Sequence, residues 1–73
     1  MKSKLDKITE NVKNMRVERG YSTLHVANAL GHDSLSYVNR IEQRKNGANY
    51  NLTHLLILSH EFGVDICEFF KEK

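Results

Sequence analysis

Residues 22–42 read STLHVANALGHDSLSYVNRIE, two short stretches with apolar residues at helical spacing on either side of a glycine. Ser22 carries a side-chain oxygen suited to cap the free N–H groups of a helix start. Behind it Leu24, Val26, Ala27 and Leu30 line one side of a helix expected over 23–30, which Gly31 stops. His32, Asp33 and Ser34 form the turn, and Asp33 or Ser34 can cap a following helix expected over 35–43, with Val38 and Ile41 facing inward. Ala27, four residues before Gly31, is small enough to let the two helices approach closely. Val26, Leu30, Val38 and Ile41 then share one apolar wedge. Two short helices joined by a glycine-containing turn form the pattern of a helix-turn-helix, here at about 22–43.

The same punctuation continues outward. Leu5, Ile8, Val12 and Met15 fall at steps of three and four, predicting an amphipathic helix over 4–19 with Gly20 as its C-terminal cap. After a polar loop over 44–50, Asn51 caps a helix over 52–62 whose apolar set is Leu55, Leu56, Leu58 and Phe62, and Gly63 ends it. A short fifth helix is expected over about 65–70, carrying Ile66, Phe69 and Phe70, one of the two phenylalanines completing the core against Leu5 and Ile8. The chain has no proline, four glycines and no alternating apolar/polar run. The expectation is an all-α protein: a compact bundle of five short helices forming a single domain over 1–73.

Composition narrows the function classes. With 73 residues, 40% hydrophobic and 27% charged, the chain resembles an ordinary globular domain with a modest core. Its single cysteine, Cys67, excludes an internal disulfide framework, fits a reducing compartment, and is expected as a small buried hydrophobe beside Ile66, Phe69 and Phe70. No apolar run approaches the ~20 residues of a membrane span, and the N-terminal lysines lack the apolar segment of a secretory signal. The expected location is cytoplasmic, at the nucleoid. His25, His32, His54 and His60 show no metal-ligand spacing, so no metal and no cofactor are expected. No nucleophile triad, paired carboxylates or glycine-rich phosphate loop emerges, which argues against an enzyme. The net charge is only +2, but its distribution is uneven. Lys2, Lys4, Lys7, Lys13 and Arg16 crowd the first helix, Arg40, Arg44 and Lys45 are uninterrupted by acid except Glu42, and Glu61, Asp65, Glu68 and Glu72 lie near the end, as though one end were basic and the other acidic.

With these elements in order, the sequence resembles the Xre/Cro family, the helix-turn-helix group that includes lambda-type phage repressors. The resemblance runs from about Leu5 to Phe70. It rests on Met15 followed by Arg16, on YSTLHVANALG at 21–31, on YVNRIEQ at 37–43 and on LTHLLILSHEFGVDICEFF at 52–70. It implies an inward-facing ion pair between Arg16 and Glu42 that joins the first helix to the third. In one place the chain departs from the family pattern: between Gly31 and Glu42 there is one residue more than usual, near His32 and Asp33, so the third helix is best counted backwards from Glu42.

On that count Leu35, Ser36, Tyr37, Asn39 and Arg40 are the exposed residues of a helix that projects into the major groove of double-stranded DNA, where base edges are distinguishable. Arg40 suits a guanine, Ser36 a base or a phosphate and Leu35 a thymine methyl, with Tyr37 and Asn39 flanking. Phosphate contacts are expected from Thr23, at a helix start, and from Arg44, Lys45, Asn46 and Asn49, with Tyr50 and Asn51 weaker candidates in the same loop. Two bulky rings at Phe69 and Phe70 exceed what so small a core absorbs and point to a homodimer, which would match a palindromic site. The expected function is a sequence-specific transcriptional regulator, a repressor or autoregulator. The rival expectation is a protein-interaction module, an antitoxin or adaptor that uses the same fold to neutralise a protein partner.

Overall fold

The computed structural model describes residues 4–31, 36–43 and 49–71, and every regular element among them is helical. Helix α1 spans Lys4–Glu18, α2 Thr23–Ala29, α3 Ser36–Glu42 and α4 Leu52–Phe62, and a 3-10 helix covers Ile66–Phe70. The all-helical expectation is met with four α-helices rather than five. The last segment is too short to run an α-helical ladder. Its Glu68 N–H instead closes on the Asp65 carbonyl, three residues back, at 2.9 Å. Carbonyls at its end and just beyond it are taken up from outside: the Asn11 side-chain amide donates to the carbonyls of Phe69, at 2.9 Å, and Lys71, at 2.6 Å. A polar residue inside the apolar stripe of α1 thus fastens the two ends of the chain together.

The helix ends follow the cap residues. Ser22 accepts from the His25 N–H at 3.0 Å and starts α2. Asn51 accepts from the His54 N–H at 2.8 Å while its own N–H donates to His54 Nδ1 at 3.3 Å, a reciprocal capping box that opens α4. Gly31 and Gly63 stop α2 and α4 in the left-handed region, at φ 84° and 69°. A Cβ at either would meet nothing within 4 Å, so any cost of a side chain there comes from the backbone and not from collision. Replacing Asn51 by alanine is expected to cost about 1 kcal/mol, seen in a circular-dichroism melt as a fall in Tm of roughly 4–8 °C for a domain of this size. An unchanged melt would show that α4 does not need its cap.

Every element contributes to one core. Val12, Val26, Val38, Leu58 and Phe69 are fully buried, with Ile41, Leu55 and Phe62 nearly so. α1 packs on the 3-10 helix and on α3, and α2 packs on both α3 and α4. Ile8 lies half-buried against this core. Several expected core positions lie outside it. Leu24 and Leu56 are exposed, Leu5 is half exposed at the edge of the α1 stripe, and Cys67 is exposed because the 3-10 winding turns it away from Phe69. No helix among the described residues is long and apolar enough to cross a membrane.

Candidate nucleic-acid interface

The two faces of α3 differ sharply. Val38 and Ile41, three residues apart, are buried, while Ser36 and Arg40, one turn apart, are exposed. Asn39 is half-buried, and so is Tyr37, whose ring packs on the core. The Tyr37 hydroxyl lies 3.4 Å from His54 Nε2, with the rings edge to face at 5.6 Å and 82°. Because His54 Nδ1 accepts from the Asn51 backbone, the imidazole proton belongs on Nε2, facing the Tyr37 oxygen. One histidine therefore opens α4 and touches α3.

A second tie holds the other end of α3. Arg16 grips Glu42 with both arms of its guanidinium: Nε donates to Oε2 at 2.8 Å and a terminal nitrogen to Oε1 at 3.1 Å. The third arm donates to the Tyr21 carbonyl at 2.8 Å. The two side chains keep only 13% and 9% of their surface, so this is a largely desolvated fork between α1 and the last residue of α3. Tyr50 lies buried close by. Burial, then the Glu42 carboxylate, pushes its hydroxyl well above the usual phenol range, with Arg16 opposing, so it stays neutral. That hydroxyl has no hydrogen-bond partner among the described residues.

Other expected contacts are more scattered. Thr23 is half-buried in the first turn of α2, and Asn49 is half-buried next to Tyr50. Leu35, Arg44, Lys45 and Asn46, and the turn at His32 and Asp33, lie outside the described residues. Tyr50 is not a surface candidate, since it is part of the core, and Asn51 is committed to capping. The charge segregation expected between the two ends is weaker than the sequence implies. Lys7 pairs with Glu10 at 3.6 Å, Arg16 with Glu42 and Glu68 with Lys71 at 2.8 Å, and the Glu61 carboxylate lies 2.7 Å from His25 Nε2. His25 is also stacked on Tyr21 at 4.1 Å, which sets the exposed α2 to α4 contact.

Comparison with protein-family models, with curated proteins and with solved structures returns no match. The case for the site therefore rests on its own geometry: one short helix with a buried face, an exposed face carrying Ser36 and Arg40, and polar anchors at both ends. No group of three or more His, Cys, Asp or Glu side chains among the described residues is placed to hold a metal ion.

Three residues that matter here were not singled out by spacing. Asn11 sits within the apolar stripe of α1, and a polar side chain there is the signal of a buried hydrogen bond. Tyr50 precedes the Asn51 cap and Leu55 follows four residues after it, the spacing of a hydrophobic staple, and both are buried. His54 occupies the third helical position after that cap, where Glu or Gln usually closes a capping box; a histidine gave no such cue.

Proposed function

We propose that the chain is a sequence-specific DNA-binding transcriptional regulator, acting as a homodimeric repressor or autoregulator on a palindromic site. In this reading residues 22–43 form a helix-turn-helix, α2 sets the position and α3 enters the major groove. The observation that carries it is the two-sidedness of α3, whose apolar face is locked to the core and whose opposite face offers Arg40 and Ser36 one turn apart. Arg40 pairs with a guanine and Ser36 with a base or phosphate, while Leu35 and Asn39 extend the footprint. Tyr37, half-buried against His54, sets the tilt of the helix and reaches only the flanking backbone. Thr23, Arg44, Lys45, Asn46 and Asn49 hold phosphates.

Selection of bound sequences from random duplex DNA is the direct test, and a two-fold symmetric consensus is the expected result. No enrichment, with binding no better than to random DNA at moderate salt, would sink the proposal. Arg40→Ala is expected to remove about 1–3 kcal/mol of discrimination at one base position while leaving the melting temperature unchanged, because the side chain is exposed. Affinity should also fall steeply with salt. The pairing of Lys7, Arg16 and Lys71 with carboxylates within the fold favours a second reading, an antitoxin or adaptor. It would announce itself as a stoichiometric co-purifying protein, with DNA binding absent from the isolated chain.

A further inference from the structure

The last ring of the 3-10 helix is unlike its neighbour. Phe69 is fully buried, whereas Phe70 stands 47% exposed, and cavities open on both sides of it. One, of about 200 Å³, is walled mainly by the apolar side chains of Leu5, Ile8, Leu52 and Leu55 and by Phe70 itself, with Thr9 and Asn49 among its polar lining. The other, of about 410 Å³, is bordered by Lys4 and Lys7. The apolar hollow has an apolar rim, for Leu5 is 50% exposed and Leu52 64%. One turn further along α4, Leu56 is 53% exposed and extends the same helix face. Leu5, Leu52, Leu56 and Phe70 thus bring exposed apolar surface from three elements to one side of the molecule.

We infer that this face is where a second copy of the chain docks, each Phe70 ring entering the hollow beside the other's. The argument for a second copy is that knob and hole belong to the same surface. A two-fold axis placed between them satisfies both at once, as an isologous contact requires. An occupant without a matching hollow would fill the cavity and leave Phe70 standing in water. The area is of the right size as well. The four side chains expose on the order of 400 Å² of apolar surface, close to the apolar share of the roughly 800 Å² that each partner contributes to a standard interface. The lysines along the second cavity, Lys4 and Lys7, supply a polar rim. This deepens the homodimer of the proposed function by naming its interface, and it rests on that reading only for the dimer's use on DNA.

Sedimentation equilibrium of the full chain across the micromolar range tests it. The expected result is a reversible dimer whose dissociation constant rises by about 30-fold or more in Phe70→Glu and in Leu52→Glu, as for anchors at the centre of an interface. Both variants should keep the helical circular dichroism and melt of the dissociated wild type, since both side chains are exposed; Leu52→Ala provides a milder version should either charge disturb the fold. A chain that stays monomeric throughout overturns the inference. So does a dimer that all three variants leave intact, or a foreign protein held on this face by the wild type and lost from the variants. DNA selection on the same samples separates the two claims. Dimers that bind no DNA would remove the regulator and keep the interface, whereas specific DNA binding by a chain that never dimerises would do the reverse.

Discussion

Replacing Glu42 by alanine is expected to lower the stability of the fold by about 3–5 kcal/mol. The cause is the charge left behind. Arg16 spends all three arms of its guanidinium on Glu42 and the Tyr21 carbonyl, and it is 87% removed from solvent, so without Glu42 a desolvated cation would face a buried phenol and apolar side chains. For a chain of this length the whole unfolding free energy is on the order of 4–11 kcal/mol, so the loss is a large fraction of it, and toward the low end of that range the variant would be unfolded at room temperature. Breaking the half-buried Lys7/Glu10 pair, one turn apart on α1, should cost no more than about 1 kcal/mol by contrast. Removing both charges together is the informative control. Arg16→Met combined with Glu42→Leu should recover most of the loss, because a well-packed apolar pair needs no desolvation. Urea unfolding of the two single variants and the double variant would decide it. Single losses below about 1 kcal/mol would mean that the pair behaves as a surface bridge.

What could be read from the chain beforehand follows from where the information lies. Helix limits are set by neighbours in sequence: Ser22, Asn51, Gly31 and Gly63 each act on the next few backbone groups, so α2 ends within one residue of its expected limit and α4 falls on the expected span. Burial is set by residues far away. Phe69 and Phe70 are indistinguishable locally. Only the contact to Asn11, fifty-eight positions earlier, and the tighter 3-10 winding decide which ring turns inward. Cys67, expected inside, faces solvent for the same reason. Leu24 and Leu56 satisfied the helical period, yet a core this small is already filled by Val26, Ala27, Leu55 and Leu58. On the candidate interface, the period located Ser36 and Arg40 on an open face, because Val38 and Ile41 fix the rotation of α3. The half-burial of Tyr37 depends on His54, which local spacing does not connect to it. That Arg16 and Glu42 pair with each other comes from the resemblance; the helical period shows only that each lies where an apolar face would otherwise continue, and a charged residue there gives no sign of its distant partner.

Phe69→Ala and Phe70→Ala, one residue apart, are expected to have opposite consequences. Phe69 has no exposed surface, meets Phe62 edge to face at 6.0 Å, and shares its backbone carbonyl with the Asn11 amide that closes the chain onto α1. Truncating it removes a large buried ring and leaves a cavity under two elements, at a cost of about 3–5 kcal/mol. Thermal and urea unfolding should show that loss at every protein concentration. Phe70→Ala removes a half-exposed ring and should change the stability of the dissociated chain by no more than about 1 kcal/mol. Its effect should instead depend on concentration. Association stabilises the folded state by mass action, so wild-type melts should rise with protein concentration and Phe70→Ala melts should stay flat. Equal losses in the two variants at high dilution would place both rings in the core, leaving no knob to dock. A concentration-dependent melt that survives Phe70→Ala would keep the dimer and move its interface elsewhere.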